Sequence, residues 1–281
     1  MNTLLAKEQI ASFLKEDVGT GDLSTDLVFG RELDGTGVFL AKDDGIVAGT
    51  EIIALTYSLY TDKVKVTLFK NDGDRVSKGE NIARVEGPVF ALLTCERIIL
   101  NLMQLMSGIA TSTRKMVDTL DDPTIRIVDT RKTHPGLRMF EKYAVTCGGG
   151  FNHRFALYDG VMLKDNHIAF AGGIEKAVAL VRSKLGHMVK VEVETETEEQ
   201  VKQAVKAGAD VIMFDNRTPE EIKYLQTLVP KHIITEASGG ININSIASFK
   251  GCGVNYISVG SLTNGAKPLD ISFNSTEGIK P

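Results

Sequence analysis

The spacing of apolar residues divides the chain into two regions of different character. Residues 4–16 carry apolar side chains at helical spacing, and residues 35–49 (GTGVFLAKDDGIVAG) and 63–87 (KVKVTLFKNDGDRVSKGENIARVEG) alternate as strands do. The first hundred residues therefore predict a mixed α+β region. From residue 90 to residue 120 the pattern becomes a long helical segment, expected to break at Ser107 and Gly108 and to link two domains. Six apolar strands follow: IRIVDT (125–130), GVMLKDN (160–166), VKVEVE (189–194), DVIMFDN (210–216), HIITEAS (232–238) and YISVGS (256–261). Helical patterns such as EEQVKQAVKAGA (198–209) and PEEIKYLQTLV (219–229) separate them. Alternating strand and helix units predict parallel strands with helices outside, and closed packing makes that a barrel.

The ends of these strands are polar: Asp129 and Thr130, Lys164 and Asp165, Glu192 and Glu194, Asp215 and Asn216, Glu236 and Ser238, Ser258 and Gly260. Barrel sites are built where parallel strands finish, so these residues are expected to converge on one mouth. Helix capping explains any one of them; six strands repeating the pattern need more. Alternation places Lys190, Glu192 and Glu194 on one face and Val211, Met213 and Asp215 on another, so Glu194 and Asp215 can both point inward.

Composition narrows the class. The chain has 281 residues, 43% hydrophobic, with a formal net charge of −4 and 6% aromatics. An acidic balance without a basic tail argues against nucleic acid as a partner. The early acids and the lack of any apolar run near 18 residues argue against export or membrane insertion, and a cytoplasmic protein is expected. Cys95, Cys147 and Cys252 lack metal-ligand spacing and are expected as reduced structural thiols.

Against that acidic background, residues 129–168 (DTRKTHPGLRMFEKYAVTCGGGFNHRFALYDGVMLKDNHI) concentrate Arg131, Lys132, Arg138, Lys142, His153, Arg154, Lys164 and His167. Arginine forks pair bidentately with carboxylate or phosphate and lysine acts as a compact charge, so the set predicts a small polyanion with at least two acidic groups. Arg97 in CERIILN is a further candidate. Glu194 and Asp215 form a carboxylate pair that suits Mg²⁺, a general base, or ion pairing with the cations. EASGGI (236–241) and SVGSLTNG (258–265) put small residues, among them Ser238, Gly239, Gly240, Gly260 and Ser261, after the last two strands, where barrels bind phosphate through backbone N–H groups. A small polyacid beside a phosphorylated, metal-chelating partner is the ligand pair of a phosphoribosyl transfer.

The order and spacing of DVGTGDLST (17–25), ERIILN, SGIAT, DTRKTHPGLR, EKYAVTCGGGFNHR, LKDNHI, VEVE, DNRTPEE, EASGGI and LDIS closely resemble the quinolinate phosphoribosyltransferases, along nearly the whole chain. The resemblance implies an α/β fold with an N-terminal α/β sandwich, residues 1–107 completed by 266–281, and an incomplete (β/α) barrel, residues 108–265, with its phosphate site at the C-terminal strand ends. It implies a homodimer in which Arg97 reaches into the neighbouring subunit. Arg131, Lys132, His153, Arg154 and Lys164 would then bind the two carboxylates of quinolinate, with Thr130 adjacent. Glu194 and Asp215 would hold the ribose and Mg²⁺ of phosphoribosyl pyrophosphate, and Ser238, Gly239, Gly240, Gly260 and Ser261 its 5-phosphate. Lys132, Glu194 and Asp215 are the candidates closest to the chemistry. Two positions depart from the family pattern: Asn264 replaces a histidine in LTNG, and His134 replaces a threonine in RKTHPG.

Three other readings of the sequence give distinct expectations. A related transferase, such as a molybdenum-associated paralogue or a nicotinate enzyme, would keep the fold and change the substrate. A carrier module built on the biotinyl-like stretch 71–88 would need a lysine at a hairpin tip, which the sequence lacks. A Schiff-base aldolase would use Lys132 as a nucleophile, but quinolinate offers no ketone.

Overall fold

The computed structural model describes residues 1–276; the last five residues of the expected sandwich domain lie outside them. The chain divides into two compact units, one of Met1–Arg114, Thr133–Gly149 and the described residues from Thr263 on, the other of Lys115–Lys132 and Gly150–Leu262.

The first unit begins with α1 (Thr3–Val18), whose first amides, Leu4 and Leu5, donate to the Asn2 side chain and whose buried residues Ala6, Ile10 and Leu14 recur every fourth position. After α2 (Leu23–Val28) come β1 (Asp34–Ala41), β2 (Gly45–Ile46), α3 (Thr50–Tyr60), β3 (Lys65–Leu68), β4 (Arg75–Val76) and β5 (Asn81–Pro88). Then α4 (Val89–Thr94) leads into α5 (Glu96–Leu120). The expected break at Ser107 and Gly108 is absent: α5 runs through both. Ser107 instead turns a buried hydroxyl to the amide of Ala48 at 3.0 Å. Gly108 lets another segment close in, since a Cβ there would stand 2.2 Å from the carbonyl oxygen of Lys267. The interruption falls earlier, at Cys95.

The second unit opens with β6 (Arg126–Val128). The chain then leaves it for residues 133–149, where α6 (Arg138–Cys147) buries Phe140, Ala144 and Val145 in the first unit, Phe140 lying 6.3 Å from the ring of Phe13. The compact units change over at 114/115 and 262/263, with this excursion between. Periodicity marks helices, but only packing partners show which core a helix serves. The rest of the unit is β7 (Val161–Leu163), α7 (Asp165–Ala171), α8 (Ile174–Arg182), β8 (Val191–Thr195), α9 (Glu198–Lys206), β9 (Val211–Asp215), α10 (Pro219–Gln226), β10 (Ile234–Ser238) and β11 (Tyr256–Ser258). Capping boxes, Thr197 with Gln200 and Thr218 with Glu221, start α9 and α10 at once after their strands.

The six strands are all parallel in the order β6-β11-β10-β9-β8-β7. Each successive strand lies beside its predecessor except at one seam, because β6 pairs with β11 and not with β7. This is a barrel sequence of strands left open at one place. Runs such as Ile212, Met213 and Phe214 are buried on both faces, as parallel strands require.

A short α11 (Ser261–Asn264) precedes β12 (Ile271–Ser275), which returns to the first unit. There it completes an antiparallel sheet in the order β12-β1-β5-β3. Phe39 faces Phe273 across β1 and β12, with ring centroids 5.0 Å apart. Full burial of the Phe39 ring stabilises this sheet by about 2–3 kcal/mol.

Candidate active site

The expected site residues of the second unit gather at the C-terminal ends of its strands. At the end of β6, Asp129 is fully buried and accepts from Asn152 Nδ2 at 2.6 Å and from the amide of His153 at 2.9 Å. Phe151 donates its amide to Ile127 and accepts from the amide of Asp129, forming a parallel bridge beside Val128. Residues 151–154 are thus laid along the β6 edge that the open seam exposes. Thr130 Oγ1 accepts from the amide of Lys132 at 3.0 Å, turning the chain as it leaves the strand. The Lys132 side chain then runs along Gly260 after β11, where a Cβ would stand 2.9 Å from its Cδ.

His153 is held at both ring nitrogens. Nδ1 accepts the amide of Arg154 at 2.7 Å, which places the ring proton on Nε2, 3.0 Å from Glu192 Oε2 and 3.6 Å from Glu236 Oε2. Glu192 and Glu236 are buried inside the strand ring, and each keeps one oxygen without a hydrogen-bond partner. Burial first, and the Glu192 carboxylate second, push Glu236 up to about 7, with His153 opposing. Among the described residues, these three side chains bring metal-capable atoms within 4.8 Å of one another. The histidine proton already occupies the contact with Glu192.

Arg154 donates from Nη1 to the carbonyl of Gly160 at 2.8 Å, and its buried Nε has no acceptor. Burial, and then the neighbouring Arg131 guanidinium, pull Arg154 below the usual arginine range. A guanidinium with an unmet buried donor, repelled by a second one, is arranged for an anion. Lys164, just past β7, contacts Glu194 on β8, so two residues expected on different ligands hold each other. His167 Nδ1 accepts the amide of Lys164 at 3.1 Å, at the start of α7.

Asp215 ends β9 opposite Ser238 of β10, and its Oδ2 accepts from Asn216 Nδ2 at 2.6 Å. Beyond Ser238, Gly239 and Gly240 take φ of +90° and +65°, and their amides have no acceptor among the described residues. A bulkier residue would strain that turn. Gly260 and Ser261 follow β11 in the same unit.

The other basic candidates lie in the first unit. Arg97 is exposed and pairs loosely with Glu96 at 3.8 Å. Arg138 donates to Thr133 Oγ1 at 3.0 Å. Lys142, on α6, is fully buried, so it is not part of an exposed cation cluster. His134 lies 2.5 Å from the buried carboxylate of Glu141 and also donates its amide to it. The cysteines are unpaired, and burial pushes Cys95 and Cys147 up to about 12, so neither suits a nucleophile.

Sequence profiles agree with this geometry along most of the chain. The C-terminal domain of quinolinate phosphoribosyl transferase matches residues 109–274, and the N-terminal domain of the same family matches residues 22–107. The chain belongs to the quinolinate phosphoribosyltransferase family. A family member from Bacillus subtilis, described as a probable nicotinate-nucleotide pyrophosphorylase [carboxylating], is 54% identical over 276 residues, covering 98% of this chain and 95% of the relative. The family structure of NadC from Streptococcus pyogenes superposes with a TM-score of 0.95 at 40% identity, over 100% of this chain and 98% of that one. The nicotinate-nucleotide pyrophosphorylase from Francisella tularensis gives 0.92 at 36% identity, over 98% of each chain. Human nicotinic acid phosphoribosyltransferase, at 12% identity and a TM-score of 0.60 over 99% of this chain and 74% of its own, shares the fold alone.

The strand ends were legible in the sequence; the residues that organise them were less so. Asp129, Glu192 and Glu236 were visible as polar strand ends without a role. Asn216 gave one usable signal, as an amide side chain directly after an inward carboxylate, in a residue type that tolerates a left-handed backbone.

Proposed function

We propose that the chain transfers the phosphoribosyl group of phosphoribosyl pyrophosphate to quinolinate with loss of CO2, giving nicotinate mononucleotide and pyrophosphate. The observation that carries this reading is the buried Nε of Arg154, which lacks an acceptor, in the segment laid against the end of β6 from which Arg131 and Lys132 follow. A dicarboxylate meets that need more fully than a monocarboxylate, which favours quinolinate over nicotinate. Arg131, Arg154, Lys132 and Lys164 hold the two carboxylates. His153 supports that clamp through the Arg154 backbone, and Thr130 fixes the strand end from which Arg131 and Lys132 project.

Glu194 and Asp215 face the ribose, and the amides of Gly239 and Gly240, with Ser238, Gly260 and Ser261, take the 5-phosphate. The donor set fits Mg²⁺: two carboxylates from neighbouring strands are hard oxygen ligands, and too few to enclose the ion, so pyrophosphate and water complete its shell. Glu194 and Asp215 would hold Mg²⁺, which would supply positive charge to offset that of the departing pyrophosphate. The residues do the rest by placement. The pyridine nitrogen attacks the ribosyl C1 as the C1–O bond to pyrophosphate breaks, through an oxocarbenium-like transition state. The resulting pyridinium stabilises the electron pair left at C2 when the C2 carboxylate departs as CO2, and a proton then fills that position. Lys132, between the β6 clamp and Gly260 after β11, sits where it can follow either substrate.

The assembly belongs to the same proposal: a homodimer in which Arg97 reaches the clamp of the other subunit, consistent with its exposure and loose pairing. No helix among the described residues is long and apolar enough to cross a membrane. The deciding experiment measures CO2 and pyrophosphate released from quinolinate, phosphoribosyl pyrophosphate and Mg²⁺, with nicotinate in place of quinolinate as the control. Both products are expected with quinolinate alone; no product, or equal turnover of nicotinate, overturns the reading.

A further inference from the structure

We infer that Asn216 is a positioning residue that ties the Asp215 carboxylate to the glycine turn at 239–240, so that the ribose end and the phosphate end of one substrate are set by a single side chain. The inference rests on the function proposed above. Asn216 and Asp121 are the non-glycine residues with positive φ among those described, Asn216 at +54°. A left-handed backbone is disfavoured for a residue with a Cβ, less so for Asn, and persists where the surroundings hold it.

Three contacts hold Asn216 there. Its amide donates to the carbonyl of Ser238 at 2.9 Å, extending the β9–β10 pairing one residue past Asp215. Its Nδ2 donates to Asp215 Oδ2 at 2.6 Å. Its Oδ1 and backbone press on Gly239 so closely that a Cβ at 239 would stand 2.2 Å from Oδ1 and 2.7 Å from the amide nitrogen. A turn leading into α10 would need only the left-handed backbone, which glycine supplies at less cost. The side chain adds two things a glycine cannot: a donor that fixes which way the Asp215 carboxylate faces, and a wall that fixes the Gly239 peptide. Asp215 and Gly239 are the two ends between which a phosphoribosyl group would lie.

Two substitutions separate these roles from folding. Asn216→Gly keeps the left-handed turn and removes both tethers; Asn216→Asp keeps the shape and removes the donor to Asp215. Calorimetric titration of phosphoribosyl pyrophosphate with Mg²⁺, alongside quinolinate titration and thermal melting, reads the result without turnover. Phosphoribosyl pyrophosphate affinity should fall at least 10-fold in both variants, with quinolinate affinity within twofold of wild type and Tm nearly unchanged. The inference is overturned if Asn216→Gly binds phosphoribosyl pyrophosphate as wild type does, or if both ligands weaken equally, which marks general loosening. A wild-type chain that binds no phosphoribosyl pyrophosphate fails the proposed function, and this inference with it.

Discussion

His153 Nε2 stands 3.0 Å from Glu192 Oε2 while its Nδ1 takes the amide of Arg154 at 2.7 Å. Both nitrogens are therefore used within the protein, and the imidazole sets the course of the chain into Arg154. Replacing His153 with Ala should lower kcat/KM for quinolinate roughly 10- to 100-fold, the scale expected when a buried carboxylate and an amide lose their partner at about 1–3 kcal/mol. Steady-state kinetics with each substrate varied in turn checks it: the loss should fall on quinolinate, and an unchanged quinolinate KM and kcat would contradict the role.

Glu236 supplies a pH dependence. Its folded value lies near 7, raised from an ordinary 4.5, so between those limits the folded chain binds more of a proton than the unfolded chain does. Stability contributed by this proton is complete below about pH 4.5 and is lost as pH rises through about 7. Glu236→Gln keeps the shape and removes the titration, so its Tm relative to wild type should climb between pH 5 and pH 7.5. A constant difference across that range would contradict the assignment.

Lys164 and Glu194 hold each other across β7 and β8, with Lys164 largely exposed. Lys164→Ala should leave Tm within a few degrees, as exposed ion pairs contribute about 1 kcal/mol or less. Turnover with quinolinate should drop at least 100-fold. A fall in Tm without that loss of turnover would make the lysine structural.

Gly239→Ala meets both a left-handed φ of +90° and Asn216 at 2.2 Å. The cost should be about 1–3 kcal/mol of strain, expressed chiefly as a higher KM for phosphoribosyl pyrophosphate. Gly240→Ala, at φ +65° with open space around it, carries the backbone strain without the collision and should do less harm.

In the first unit, Phe39→Ala should cost about 3–5 kcal/mol, since the ring is fully buried against Phe273. Chemical denaturation measures it directly, and a cost under 1 kcal/mol would mean that β12 is not part of the stable sheet.

These expectations draw unequally on the sequence. Period-two alternation placed Glu194 and Asp215 at the strand ends, and the strand–helix rhythm gave the parallel sheet, because both patterns are local. The seam between β6 and β7 left no local trace, since strand order is a long-range property. Ser107 and Gly108 read as a helix break because small residues weaken helices in isolation; buried partners at Ala48 and Lys267 explain them instead. Lys142 read as part of an open cation cluster because charge is visible in a sequence and burial is not. The dual role of Asn216 depends on two strands meeting, which no spacing rule within one of them encodes.

The seam also changes what a ligand does to the molecule. Arg131 and Lys132 leave one lip of the slit, Arg154 comes from the residues lying along it, and Lys164 stands on the other lip. A dicarboxylate gripped by all four would act as a clasp on an unsewn edge, supplying lateral ties that backbone hydrogen bonds do not. Quinolinate would then do more than occupy the mouth: it would lend the ring the continuity its strand pairing lacks.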